Sequence, residues 1–186
     1  MPAPGNIEVE RKFRVTDAAP LRRRLEKLDA VWGQPQRQVD RYFAHPSRDF
    51  ARTDEALRIR SAGDANQLTY KGPKLDATSK TRREIELALA GGPAGAEACA
   101  ALLAALGFRR VADVNKLRAT AMLDFRGRRF SVSIDEVDHL GTFIELETLA
   151  DETTWPAARH DLDQLAAELE LNEGERRSYL ELLLDP

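Results

Sequence analysis

Along much of the chain, charged and apolar residues alternate one by one, the period of a strand whose side chains point to opposite faces. "IEVERKFRV", at residues 7–15, sets Ile7, Val9, Phe13 and Val15 against Glu8, Glu10 and Lys12. "EALRIRSA" sets Leu57 and Ile59 against Arg58 and Arg60, and "QLTYKGPK" sets Leu68 and Tyr70 against Thr69 and Lys71. In "KTRREIELAL", Ile85, Leu87 and Leu89 oppose Arg82, Glu84 and Glu86. In "VNKLRATAML", Leu117, Ala119 and Ala121 oppose Lys116, Arg118 and Thr120. "RRFSVSIDEV" divides Phe130, Val132 and Ile134 from Ser131, Ser133 and Asp135, and "TFIELETL" divides Ile144 and Leu146 from Glu145 and Glu147. With a weaker segment, "VDRYFAH", these make eight expected strands, mostly antiparallel neighbours by their short connections.

Helical spacing is confined to a few stretches. Thr16 and Asp17 offer caps before "AAPLRRRLEKLDA", where Leu21, Leu25 and Leu28 recur on one face. "PAGAEACAALLAALG" opens on Pro93 and closes on Gly107, the proline-first, glycine-last order of a helix. "WPAARHDLDQLAAELEL" and "EGERRSYLELLL" are the two remaining candidates, and in the second Tyr179 reads as a packing residue of an amphipathic helix. No linker, repeat or low-complexity tract interrupts residues 1–186, so one domain is expected.

A strand with one charged face is ordinarily half-buried, its charges in water. Here the polar positions are dominated by Glu and Arg, and the E-x-E spacing recurs as Glu8/Glu10, Glu84/Glu86 and Glu145/Glu147. A closed sheet explains every strand together: apolar face outward beneath leucine-rich helices, charged face lining a lumen. Eight strands close into a barrel wide enough for side chains or one small ligand. The expected fold is α+β, an eight-stranded antiparallel β-barrel with a charged lumen and flanking helices.

Charge sharpens this picture. Charged residues make up 32% of the chain, above the roughly 25% of an average soluble domain. The net charge is only −3, so no basic field points to nucleic acid or a membrane surface. No stretch reaches the roughly 18 apolar residues of a membrane span, and "MPAPGN" lacks signal-peptide regions, so a cytoplasmic location is expected. Cys99 is the single cysteine, in an apolar helical run, which excludes an internal disulfide and a cysteine metal site. His45, His139 and His160 have no metal-ligand spacing and read as surface or loop residues. No G-x-S-x-G or Walker loop is present. A glycosidase would explain paired carboxylates and leave the arginines without work.

The lumen acids are then Glu8, Glu10, Glu84, Glu86, Asp135, Glu145 and Glu147, and its bases Lys12, Arg58, Arg60, Lys71, Arg82, Lys116 and Arg118. Carboxylates crowded in one space repel unless a cation joins them, and oxygen-only ligands suit Mg²⁺ or Mn²⁺ better than zinc. The bases need an anion, and their number suggests several phosphoryl groups. Acids for a metal beside bases for phosphates are what phosphoryl or nucleotidyl transfer requires.

These residues resemble the signature of the CYTH superfamily, the triphosphate tunnel metalloenzymes. The likeness begins at the E-x-E-x-K strand of Glu8, Glu10 and Lys12. It continues in order through "DRYF", "ALRIR", "LTYKGPK", "KTRREIE", "NKLR", "SIDEVDHLGTFIELE" and "SYLELL". "HPSRDFARTDEALRIR" followed by "LTYKGPK" is most similar to the class IV adenylyl cyclase branch. The resemblance implies an eight-stranded tunnel and a metal region of Glu8, Glu10, Asp135, Glu145 and Glu147. It also implies a triphosphate held by Lys12, Arg58, Arg60, Lys71, Arg82, Lys116 and Arg118. Glu84 and Glu86 would position those bases or a second metal, and Lys74 and Lys80 would lie at the tunnel mouth or in solvent.

The expected activity is conversion of ATP to cyclic AMP and pyrophosphate with Mg²⁺ or Mn²⁺, with Glu10, Lys12, Lys116 and Arg118 closest to the chemistry. Its nearest rival keeps the site and changes the nucleophile. Water would attack the terminal phosphorus of tripolyphosphate, thiamine triphosphate or a nucleotide, and Lys12 would orient it. A non-catalytic polyphosphate-binding module is the third alternative, disfavoured because anion binding alone gains nothing from E-x-E pairs. An RNA 5′-triphosphatase lacks the extra basic surface that would guide RNA. The partner is a small-molecule triphosphate, with neither nucleic acid nor membrane, and the chain a monomer or homodimer.

Overall fold

A computed structural model describes residues 7–75 and 81–185. Among them the order is β1 (Ile7–Val15), α1 (Ala19–Lys27), β2 (Val31–Trp32), β3 (Gln36–Ala44), α2 (Phe50–Thr53), β4 (Ala56–Ala62) and β5 (Ala65–Lys74). Then follow β6 (Arg82–Leu89), α3 (Gly92–Ala105), β7 (Arg109–Phe125), β8 (Arg128–Val137), β9 (Gly141–Ala150), α4 (Trp155–Glu168) and α5 (Tyr179–Leu184). Every strand pair is antiparallel.

The strands run β7-β3-β4-β5-β6-β1-β9-β8, and β8 pairs back to β7, which closes an eight-stranded barrel with β2 as an extra strand on β7. Closure depends on the length of β7. Its first half pairs with β3 (Arg109 to Arg118) and its second with β8 (Lys116 to Phe125). Register sets the lumen: Glu10 stands opposite Glu147, Lys12 opposite Glu145, and Asp40 opposite Arg60.

The apolar faces point outward, as the alternation requires. Ile7, Val9 and Phe13 of β1 join Phe130, Val132, Ile144 and Leu146 of β8 and β9 beneath Leu21 and Leu25 of α1 and Leu162 and Leu165 of α4. Each such side chain contributes roughly 1.5–3 kcal/mol by leaving water. Phe43, Leu57 and Ile59 form a second outer cluster with Ala96 and Leu103 of α3. Tyr179 and Leu182 of α5 pack with Tyr42, Val114, Val137 and Phe143, residues on the lumen side of their strands, and so fill one end of the lumen.

Several expectations shift. The outer face of β6 is not covered, and Ile85 and Leu87 are 53% and 56% exposed, because α3 lies chiefly on β4 and β5 and α4 on β1 and β9. At α1 the side-chain cap is absent: Ala18 is the N-cap, and Asp17 only accepts from the Ala19 N–H at 2.8 Å. The last helix is one turn and a half, not twelve residues. Its forerunner bonds to β1 instead, Glu175 N–H to Lys12 C=O at 2.7 Å, and the helix starts at a Ser178/Glu181 capping box. The short β2 and α2 had no periodicity to show them. No described helix is long and apolar enough to cross a membrane.

Candidate active site

The lumen opens into a cavity of about 880 Å³ lined by the bases Arg58, Arg60, Lys71, Arg82, Lys116 and Arg118 and the acids Glu8, Glu10, Glu86, Glu145 and Glu147. Barrel order places β3 and β4 across from β1 and β9, so cations dominate one wall and carboxylates the other. Strand geometry alone does this, because every one of these residues occupies the inward parity of its strand.

On the cationic wall two buried aspartates stand behind the bases. Asp40 of β3 accepts from Arg60 Nε at 2.6 Å, Arg60 Nη2 at 2.7 Å and Arg58 Nη1 at 3.2 Å. Asp135 of β8 accepts from Arg118 Nε at 2.7 Å, Lys116 Nζ at 3.3 Å and the Tyr179 hydroxyl at 2.9 Å. Arg118 also reaches Glu145 across the lumen. Burial would raise the Asp40 carboxyl, but Arg58 and Arg60 hold it well below the usual range. Arg58 lines the cavity, and its Nε–H is buried without an acceptor among the described residues.

On the acidic wall positive charge runs short. Lys71 sits between Glu8, at 3.3 Å, and Glu84. Burial would raise Glu8, but Lys71 and Arg58 bring it down to about 2. Burial pushes Glu84 up to about 7, Lys71 only partly offsetting it. Glu147 has no ion-pair partner among the described residues; burial, then Glu8 and Glu10, push it well above the usual carboxylate range.

Three residues expected in the lumen do not line the cavity. Asp135, assigned to the metal region, is fully buried behind the bases, and Arg118, Lys116 and Tyr179 occupy its oxygens. Lys12 is also fully buried. It donates to the Arg177 carbonyl and lies 4.1 Å from the Tyr179 ring centre, so α5 stands between it and the cavity. Glu84 lies behind Lys71. Lys74 turns to Asp54 at 2.6 Å rather than into the lumen, and Lys80 lies outside the described residues. Conversely, Asp40 and the Tyr179 hydroxyl had been passed over. Asp40 shares strand parity with Tyr42, an acid among aromatic residues that the weak alternation of "VDRYFAH" concealed.

Lys116 has a consequence that can be measured. Burial lowers it to about 8, Arg118 and Arg60 adding to the effect and Asp135 and Asp40 opposing it. An anion bound beside Lys116 would be held by the ammonium, which is complete below that value and drains above it. Affinity for tripolyphosphate is therefore expected to fall by up to about tenfold per pH unit above about 8, and Lys116→Arg to remove the dependence. Calorimetry with EDTA present, from about pH 7 to about pH 10, checks this. A flat affinity would place Lys116 outside the anion site.

The CYTH domain model matches residues 6–179. The chain belongs to the CYTH family. A Methanocaldococcus jannaschii relative named putative adenylate cyclase is 35% identical over 95% of this chain and 98% of its own. A solved structure from Pyrococcus horikoshii is 38% identical, with a TM-score of 0.82 over 96% of this chain and 98% of that one. A Vibrio parahaemolyticus structure, also named putative adenylate cyclase, shares the fold with a TM-score of 0.80 at 22% identity, over 97% and 99% of the two chains.

CYTH membership brings triphosphate ligands and a divalent metal, and the acidic wall is where carboxylates gather on the cavity. Its donors are oxygens only, as a hard ion prefers. Glu147 itself is raised by burial and by the neighbouring Glu8 and Glu10, a repulsion that a cation would offset. Glu8, Glu10, Glu145 and Glu147 line the cavity, and among the described residues no three acids, histidines or cysteines are gathered closely enough to hold a metal ion as they stand. The same cavity also has apolar residues in its lining, among the charged Arg48, Asp49, Glu55, Arg109 and Glu181. Val111 and Leu184, 42% and 60% exposed, line it together with Pro46 and Leu180. His45 lines it too, its ring 5.4 Å from Phe50 and 5.1 Å from Phe108.

Proposed function

We propose that this chain is a divalent-metal-dependent enzyme acting on an organic triphosphate, of class IV adenylyl cyclase type. The observation that carries the reading is one cavity with a cationic wall facing a carboxylate wall, whose lining also includes the exposed apolar Val111 and Leu184. A bare tripolyphosphate has no apolar surface to set against Val111 and Leu184, whereas an adenosine group would cover them and gain their burial. The Methanocaldococcus jannaschii relative named putative adenylate cyclase supports the same reading.

In this scheme Arg58, Arg60, Lys116 and Arg118 hold the phosphate chain and neutralise the charge that grows on departing pyrophosphate. The 3′-hydroxyl oxygen of ATP forms a bond to the α-phosphorus as the bond from that phosphorus to the bridging oxygen breaks, the hydroxyl proton passing to water and the electron pair leaving with pyrophosphate. Arg fixes orientation by paired hydrogen bonds, and Lys116 adds a point charge. Glu8, Glu10 and Glu147, with Glu145, would hold the metal, with Mg²⁺ or Mn²⁺ proposed. When bound, it supplies Lewis acidity, which makes the hydroxyl easier to deprotonate and offsets phosphate charge. Asp135 and Lys12 act from behind the cavity wall in this proposal.

Purified protein incubated with ATP or tripolyphosphate and either metal, its products resolved by chromatography, decides the matter. Cyclic AMP with an equal amount of pyrophosphate is expected. Orthophosphate without a cyclic product would replace the cyclase by a hydrolase using the same walls, with water as nucleophile. Binding without turnover would leave a polyphosphate-binding module.

A further inference from the structure

The cationic wall is organised by an acid that does not line the cavity. Asp40 lies on β3, between β4 with Arg58 and Arg60 and β7 with Lys116 and Arg118. It is fully buried. Its Oδ1 and Oδ2 take the Nε and Nη2 of Arg60 as a fork, while Oδ2 also accepts from Arg58 and lies 3.8 Å from Lys116 Nζ. Burying a carboxylate this deeply costs several kcal/mol, so fold stability alone would be served as well if Asp40 and its arginines were together replaced by apolar residues. What an apolar residue would not do is fix the plane of a guanidinium.

We propose that Asp40 is a positioning residue for the phosphate-binding arginines, an inference that rests on the triphosphate reading above. A guanidinium has five N–H donors in one rigid plane. With Nε and Nη2 engaged behind it, the Arg60 plane is set, and the donors left over face a phosphate chain in a single orientation. Arg58 is held from the same oxygen and is placed relative to Arg60. Asp40 therefore couples two bases into one preformed surface before the ligand arrives, which is where orientation adds most to rate.

Charge and orientation predict opposite effects, so the role is separable. Neutralising Asp40 makes the wall more positive, and Coulomb attraction alone would tighten polyphosphate binding. Losing the fork lets the arginines turn, which lowers the rate of the chemical step. Asp40→Asn is expected to reduce kcat by about 10- to 100-fold. Its Kd for tripolyphosphate, read by calorimetry in EDTA, should stay within about threefold of wild type or tighten. Arg60→Lys, which keeps the charge and cannot take the fork, should show the same split and gives the answer if Asp40→Asn does not fold. Wild-type kcat in either folded variant, or loss of affinity in parallel with kcat, overturns the positioning role. A wild-type protein that binds no tripolyphosphate overturns the triphosphate reading itself, and positioning with it.

Discussion

Glu147→Gln is expected to lower turnover by about a thousandfold, equivalent to roughly 4 kcal/mol of transition-state stabilisation, without loss of fold. The substitution keeps the shape of the side chain and removes the anionic oxygen. Stability should move the other way. In the metal-free protein the Glu147 carboxyl is raised well above 4.5 by burial and by Glu8 and Glu10, so its ionised form is disfavoured in the fold. A carboxyl raised on folding supports the fold fully below its unfolded value and loses that support as pH climbs toward the folded one. Around neutrality the amide carries no such penalty, and the variant should melt no lower than wild type in EDTA. Mg²⁺ or Mn²⁺ should stabilise wild type and do little for the variant. Rates near wild type would remove Glu147 from the metal site, and a metal-induced shift of equal size in both proteins would argue the same.

Arg60→Ala is expected to lower kcat/KM by about 10²- to 10³-fold, within the roughly 2–5 kcal/mol lost when one partner of a buried charge pair is truncated. Two losses combine. The cavity forfeits a guanidinium that lines it, and Asp40 forfeits its closest hydrogen-bond partner while staying buried. KM should rise and kcat fall together, and Kd for tripolyphosphate should weaken, in contrast to Arg60→Lys, where charge is kept. Steady-state kinetics beside calorimetry distinguish the pair. An unaltered profile in Arg60→Ala would mean that this arginine faces solvent and takes no part in anion binding.

Period-two alternation was the most informative property of the chain. It predicted which side of each strand carries charge, and the barrel has those sides turned inward. The E-x-E pairs of Glu8/Glu10 and Glu145/Glu147 stood out because acids two apart share one face, and register brings the pairs together. Alternation is blind to depth, however. Lys12 and Lys116 share the inward parity and are both buried against the Tyr179 ring, yet only Lys116 lines the cavity. Asp135 and Glu147 were grouped as metal acids on equal grounds. One is saturated by Arg118, Lys116 and Tyr179, and the other has no ion-pair partner among the described residues. Helical periodicity in "SYLELLL" likewise showed an amphipathic turn without showing that its apolar side enters the barrel.

The sequence by itself determined an inside-out, helix-flanked antiparallel sheet and the set of charges it encloses, because strand parity is a local property written residue by residue. Only the tertiary structure decided which of those charges meet. The closure of β7 onto both β3 and β8 brings Lys116 between Asp40 and Asp135. The seating of α5 withdraws Lys12 behind Tyr179. Both depend on contacts between segments far apart in the chain, and a pairwise distance across a barrel follows from closure and register, which no single strand contains.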